Sequence, residues 1–385
     1  MPEVLAILFP YFVLLYLFDC VASVRNGHLI FISHFGRRFR LKGDGAHAVG
    51  LLPTGQAVLS HNLPLFLSAG GVHLPAAESR WDRPIGAADL RYLRWEEILS
   101  ATSDGPGLVI NGALSATLPS AAAASGTAAA IRELLDTPPP LRRAKAEALL
   151  ADAFDLRGLN GVRERLRAPL LGVSIASSLL FLSVYAVLPL ALFTRSFQGR
   201  SLAPLLLGMG LAYVLAVAAA VAARRAIDPE DASGRTRLVI LLVLMPPGAA
   251  HVLGPLTRDL FARHDPLTLA AALLPPEDFR RVARREMARL AFSALSPGDD
   301  ELADYFRMRE RAVRRLLDQA GVDAGRILTP PRKDSPESER YCPACGIEYL
   351  GGADLCADCG IPLADFVADG EFTAQESACA KSSPG

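Results

Sequence analysis

Two stretches of this chain constrain what it can fold into more than anything else in it. No charged residue falls between Arg167 and Arg195, or between Arg200 and Arg224, and both intervals are dominated by Leu, Ala, Val, Ile and Phe. A bilayer core of ~30 Å needs about 20 apolar helical residues, because every backbone polar group inside it must be paired within the segment. Two successive helices of that length without a charge are rare in a soluble core. Spans are therefore expected at 168–193 and 201–223, joined by a short connection. The chain reads as a multi-domain integral membrane protein with α-helical transmembrane segments, and its first partner is the lipid bilayer.

Two weaker segments extend that reading. Val4 to Phe18 is apolar, meets Asp19 and continues to Val24. A cleaved signal peptide wants positive charge before its apolar run, and the only flanking charge here is Glu3. Residues 1–24 are thus expected to form a first span. Cys20 is preceded by Leu17-Phe18-Asp19, which lacks the small residues that a lipid-modified cysteine requires. Residues 238–257 start apolar at Leu238–Met245 but then run into Pro246-Pro247-Gly248. Paired prolines remove two backbone donors and clash with the preceding turn, so this segment is either a kinked span or a re-entrant hairpin. His251 lies within it. An ionisable group at membrane depth marks a candidate site, and either a proton path or a hydrogen bond to a backbone carbonyl would accommodate it.

Charge supplies the orientation. The 385 residues carry 40 Lys+Arg and 40 Asp+Glu, which removes the global basic excess of a dedicated nucleic-acid binder. Of the basic residues only Lys42, Lys145, Lys333 and Lys381 are Lys; with abundant Ala, Gly and Pro, this bias points to a GC-rich bacterial genome and so to the bacterial cytoplasmic (inner) membrane. Arg25, Arg37, Arg38, Arg40 and Lys42 follow the first span, and Arg157, Arg163, Arg165 and Arg167 precede the second. The positive-inside rule then places 25–167 in the cytoplasm.

Near the C-terminus the chain reads Tyr341-Cys342-Pro343-Ala344-Cys345-Gly346 and then Leu355-Cys356-Ala357-Asp358-Cys359-Gly360, a C-x2-C-x10-C-x2-C pattern. Two tight Cys-x-x-Cys turns can each offer a pair of soft sulfur ligands to one tetrahedral ion. The Gly after each second Cys suits a position of positive φ. Over about Tyr341–Leu363 this resembles the zinc-ribbon family, in its short two-knuckle form. The resemblance implies structural zinc held by Cys342, Cys345, Cys356 and Cys359, with no open position for a substrate. Two disulfides, a dithiol redox pair and a rubredoxin-like iron site are the alternatives. Reduced thiolates belong in a reducing compartment, the cytoplasm. A cytoplasmic ribbon together with a cytoplasmic 25–167 requires that 238–257 be re-entrant; an external ribbon after four full spans is the competing topology.

Between the first two spans, 25–136 reads as short β-rich pieces: His28–Ser33, Gln56–Ser60, Pro64–Ser68, Gly71–Leu74, Leu93–Ile98, Gly107–Gly112 and Ala113–Leu118. A helix from Ser125 to Leu135 closes the set before Pro138-Pro139-Pro140. Strands followed by a closing helix, with Trp95-Glu96-Glu97-Ile98 at a strand step, resemble the bacterial pleckstrin-homology-like domains found beside membrane spans. That resemblance implies a β-sandwich used for docking. Arg37, Arg38, Arg40 and Lys42 are read as a positive-inside flank before a lipid-headgroup site. His28, His34, His47, His61 and His73 share no helical i, i+4 spacing and no carboxylate cluster, so they are read as ordinary strand residues.

Residues 137–167 are expected to form a helical linker and 258–329 a helical region, with amphipathic helices at Glu277–Leu295 and Asp299–Ala320. Leu302, Phe306, Val313, Leu316, Leu317 and Ala320 recur at helical spacing in the second. Arg280, Arg281, Arg284, Arg285 and Arg289 are read as a solvated, salt-bridged face. Residues 330–340 read as a linker, 341–363 as the ribbon and 364–385 as a disordered tail.

The sequence holds no nucleophile elbow, no phosphate-cradling Gly loop and no H-E-x-x-H, and no small-molecule substrate is legible in it. The expected role is that of a non-enzymatic membrane protein presenting a docking domain and a structural zinc ribbon to other proteins. A small transporter or channel component, and a membrane-tethered nucleic-acid-binding regulator, are the alternatives.

Overall fold

The computed structural model describes residues 65–75, 90–118, 121–183, 202–227, 229–230, 232–244, 264–294 and 300–366, the backbone of five strands within 21–61, and the isolated positions Val187, Val252 and Leu256. The expected first span falls outside the described residues as far as residue 20. Its end does not continue as helix: Val21–Ala22 is a strand (β1) paired antiparallel with Ala48–Val49 (β4). The charge at Asp19 breaks the apolar run just before it. Gly27–Ser33 (β2) lies between Leu41–Lys42 (β3) and Thr54–His61 (β5), antiparallel to both.

Two further three-stranded sheets follow. One is ordered β6 (Phe66–Leu67), β7 (Gly71–Pro75), β8 (Leu90–Arg94); in the other, β10 (Gly107–Ile110) lies between β9 (Ala101–Asp104) and β11 (Ala113–Thr117). The closing helix, α1 (Ala121–Asp136), presents Ala124, Ala128, Ile131 and Leu134 to a core that includes Val72, Leu74, Trp95, Leu108 and Ile110. The expected strand through Trp95 turns instead into a single 3-10 turn, Trp95–Glu97. The Glu97 carboxylate accepts a bond from the Arg94 N–H and closes the turn, while the indole N–H donates to the carbonyls of Ser68 and Ala69. The strand resumes only at Ala101, whose polar, exposed successors Thr102, Ser103 and Asp104 carry no alternating apolar signal. Asn111 and Gly112 both take positive φ (53° and 78°), as a two-residue turn of the type that matches strand twist demands.

The 137–167 region is helical. It contains α2 (Pro139–Ala153) and the first turns of α3 (Leu156–Leu182). Asp155 caps α3 by accepting from the Gly158 N–H, and the helix runs unbroken from a polar start through Pro169 into the apolar stretch. The next apolar stretch is α4 (Leu202–Ile227). Among the described residues these are the two helices long and apolar enough to cross a membrane. They pack side by side through small residues: Ala216, Ala220 and Ala223 of α4 meet Val173 and Leu180 of α3. The large side chains of α4 point away, with Leu207 76% and Leu211 61% exposed.

Of the segment expected at 238–257, 238–244 is the end of α5 (Ala232–Leu244), and the Leu256 N–H bonds the Val252 carbonyl at helical spacing; the positions between and around these lie outside the described residues. The Tyr213 hydroxyl of α4 donates to the Leu242 carbonyl at 2.9 Å, and Leu242, Val252 and Leu256 are buried in the cluster that holds the helix pair. His251 lies outside the described residues.

The C-terminal unit has α6 (Pro266–Leu273), α7 (Pro276–Ala294), α8 (Asp300–Gln319) and the single turn α9 (Ala324–Ile327). Leu302, Phe306, Val313, Leu316 and Leu317 are buried, as their spacing predicts, and Ala320 is partly buried against them. At the centre Arg309 reaches Asp265 at 2.7 Å and Glu286 at 2.9 Å, beneath the Phe154 ring. Asp265 also accepts from the Leu267 N–H at the start of α6, while its own N–H and the Thr268 hydroxyl bond the Ala153 carbonyl ending α2. The β-rich unit leans on the same core: Phe66 stacks on Tyr305 at 4.3 Å, and Glu301 accepts from the Gly70 N–H.

Candidate metal centre

The site is assembled from two loops of the same construction. Strand β12 (Arg340–Tyr341) leads into Cys342, pairing with β13 (Glu348–Tyr349) on one side and β14 (Ala364–Asp365) on the other. In the first loop the Cys342 N–H donates to the Ile347 carbonyl and the Gly346 N–H returns to the Cys342 carbonyl, at 2.9 and 2.8 Å. In the second, Cys356 bonds Ile361 and Gly360 bonds Cys356 at the same two distances. Gly346 and Gly360 have φ of 80° and 62°, the left-handed conformation a side chain would strain. The repeated Cys-x-x-Cys-Gly thus folds twice into one shape, and its four sulfurs converge.

All four Sγ atoms lie within 4.8 Å of one another, and Cys345 Sγ is 3.8 Å from Cys356 Sγ. A disulfide would bring two sulfurs to about 2.05 Å, and the four cysteines are free. The edge of a tetrahedron of sulfurs about 2.3 Å from a central ion is about 3.8 Å. Cys342, Cys356 and Cys359 are buried and Cys345 is exposed. The cluster can therefore hold a metal ion, and Cys342, Cys345, Cys356 and Cys359 are the residues that would do so.

The surrounding groups prepare the sulfurs unequally. Burial alone would push the Cys356 thiol up; hydrogen bonds from the Tyr349 hydroxyl (3.3 Å) and from the Cys359 and Asp358 N–H groups bring it down to about 7. The same bond, by which the hydroxyl serves the sulfur, raises Tyr349 to about 12. Burial, then the neighbouring Cys342, push Cys345 up to about 11, and Cys359 is raised further by burial and by Cys342 and Cys345. Four thiolates this close repel one another. A divalent cation at their centre removes that repulsion, which is the chemistry this donor set calls for.

The ribbon is broader than 341–363 and is not slung on a free linker. The Glu348 carboxylate accepts from the Asp334 and Ser335 N–H groups, pinning the preceding segment, and Ser338 is buried. At the far end Ala364–Asp365, expected in the tail, pair with β12, and Phe366 lies over Tyr341. Residues 367–385 lie outside the described residues. Arg340 bonds both Asp354 and Asp365 at 2.9 Å.

The basic helix is also not the uniformly solvated face its sequence implies. Arg281 pairs with Asp278 and Arg289 approaches Glu286, but the Arg284 Nε–H donates to the Pro343 carbonyl inside the first cysteine loop at 2.7 Å. Ala288, one turn on, is buried among Cys342, Cys356 and Cys359. Neither Tyr349 nor Arg284 was identifiable as part of the site from sequence. Tyr349 lies four residues after Cys345, a spacing the motif leaves unspecified, and Arg284 is separated from the site by some fifty residues of helices. His73 is buried against the Tyr92 ring, on a strand of the β-rich unit and not among the cysteines. No family model, no curated protein and no solved structure matches the chain.

Proposed function

We propose that this chain is an integral membrane protein of the bacterial cytoplasmic membrane, with a non-enzymatic role in which α3 and α4 anchor a β-rich docking unit and a structural zinc ribbon. The observation that carries the membrane reading is the inverted packing of the helix pair. A core helix of a soluble protein buries its large side chains, whereas here only 17% of the apolar window of α4 is buried and its leucines face outward. Such a surface is at home only in a solvent as apolar as Leu itself.

Zinc is the ion this reading assigns, since four thiolates in tetrahedral spacing leave no position open for a substrate. The paired prolines after α5 favour a re-entrant 238–257, which leaves the cysteines in the reducing cytoplasm with the Arg-rich loops. Partners are then cytosolic proteins met by the β-rich unit, whose sheets and closing helix keep the pleckstrin-homology-like reading in play. The nucleic-acid alternative has less support, because Arg281, Arg284 and Arg289 already have partners within the chain.

Two measurements test this. The protein should stay with membranes through alkaline carbonate extraction; release into the supernatant would sink the membrane reading. A C-terminal fluorescent-protein fusion should mature and a phosphatase fusion at the same point stay inactive; the reverse pattern would put the ribbon outside and make 238–257 a full crossing.

A further inference from the structure

We infer that the metal ion also clasps the ribbon to helix α7, with the Arg284 guanidinium serving as counter-charge to the loaded tetrathiolate, so that metal loading and docking of the ribbon are one equilibrium. This rests on the metal reading above and adds to it an intramolecular partner.

The argument begins with an orphan. Arg284 donates through Nε to the Pro343 carbonyl, yet its Nη2 is buried without a hydrogen-bond partner, and no carboxylate lies within ion-pair distance of it among the described residues. Buried donors are almost always satisfied, and a half-buried guanidinium whose Nη2 is cut off from solvent gains from a nearby counter-charge. What faces this one is the first cysteine loop: Pro343 stands between Cys342 and Cys345, and Ala288 on the same face of α7 is buried with Cys342, Cys356 and Cys359. Four thiolates around a divalent cation leave two negative charges in the knuckle. That net charge supplies the counter-charge the guanidinium lacks. Without the ion the knuckle holds less negative charge, and the contact between α7 and the ribbon loses much of its electrostatic reason.

The arrangement gives α7 two duties. One face carries Arg284 and Ala288 to the ribbon; the other buries Phe279, Ala283, Met287 and Leu290 in the helical core, and Glu286 holds Arg309. A change at the metal is thereby felt by a helix that also packs the core.

The test uses the full chain in detergent. Zinc affinity is measured by chelator competition for the wild type, Arg284→Gln, Arg284→Lys and, as a surface control, Arg281→Gln. Outer groups around metal ligands are typically worth about 10- to 100-fold in affinity, so Arg284→Gln should lose at least about tenfold, Lys should recover part, and Arg281→Gln should match the wild type. Hydrogen exchange of the wild type alone, with and without zinc, provides a reading that needs no variant: amides of 284–290 should exchange faster when zinc is stripped. Zinc affinity of Arg284→Gln within twofold of the wild type, or exchange in α7 indifferent to zinc, overturns the clasp while leaving the metal site standing. A wild type that takes up no zinc overturns the metal site itself, and the clasp with it.

Discussion

The pair α3/α4 and the unit built from α6 to α9 are both helix packings, but one is the other turned inside out. In the pair, Ala216 and Ala220 are buried while Leu207 and Leu211 face outward. In the C-terminal unit, Leu316 and Leu317 are fully buried and the outer face of α8 is lined with charge, such as the Arg314–Glu310 pair. The difference is the one that two solvents, water and lipid, would select for, and it is the support for the proposed membrane reading. Water drives large apolar groups inward, at about 25 cal/mol per Å². Lipid offers no such drive, so helices there associate by close approach of small residues.

The largest expected effect is on the ribbon, which has neither a wide core nor long strands of its own. Structural zinc contributes on the order of 10 kcal/mol to such units. Cys356→Ser should therefore reduce bound zinc from one equivalent to none and open the 334–366 region to trypsin at Arg340, whose guanidinium is otherwise held by Asp354 and Asp365. Metal analysis and limited proteolysis check this together. Full zinc with intact resistance to trypsin in that variant would show that the ribbon stands without the ion.

The second effect belongs to the buried charges. Replacing Arg309 by Met leaves Asp265 and Glu286 together without their cation, a loss of about 3–5 kcal/mol for a broken buried pair. A thermal melt of the solubilised protein would read it. The cluster also fixes a pH dependence. For Arg309, burial acts to lower its affinity for the proton, but the charges of Asp265 and Glu286 outweigh it, and it is held well above its ordinary range. For Asp265 burial wins over Arg309, so its carboxyl is raised above 3.8. A carboxyl raised on folding binds its proton more tightly in the native state, so its contribution to stability is greatest below about pH 4 and declines as pH rises through the raised value. Asp265→Asn should flatten that part of the profile.

A paired truncation addresses the comparison itself. Leu316→Ala in the water-facing unit should cost about 2–5 kcal/mol, the range for a well-packed core leucine. Leu207→Ala on the outer face of α4 should cost far less in a detergent micelle, because a leucine against lipid loses little by becoming an alanine against lipid. Equal losses at the two sites would mean that Leu207 is covered by protein, and the membrane reading of α4 would lose its main support.

How much of this was legible in the sequence depends on how far each signal reaches along the chain. The apolar helices, the amphipathic stripe of α8 and the cysteine knuckles are periodicities or spacings within twenty or so residues, and all are written locally. The Asp265–Glu286–Arg309 cluster joins three charges that each look like ordinary surface residues, because only the packing of α6, α7 and α8 brings them together. Arg284 was hidden the same way, as one arginine among five on a basic helix. Trp95 misled for the opposite reason: Leu-Arg-Trp-Glu-Glu-Ile alternates like a strand, and the Arg94–Glu97 turn overrides it. Ala364–Asp365 fell outside the ribbon because a strand of two residues carries no periodicity at all.

The smallest expected effect sharpens the contrast most. Tyr213 on α4 donates to the Leu242 carbonyl of α5, a carbonyl in the last described turn of that helix. If both groups lie in an apolar environment, intuition assigns this bond a large value, since the alternative is a hydroxyl stranded without water. The unfolded reference in a membrane is equally dry, however, and a freed hydroxyl there finds another partner, so interhelical bonds of this kind average about 0.6 kcal/mol. Tyr213→Phe keeps the ring and removes only the donor. It should therefore lower stability to denaturing detergent by about that much, less than a broken core contact in the C-terminal unit. A loss several times larger would indicate that the unfolded state regains water at this position, placing the contact between α4 and α5 at the membrane edge and not within it.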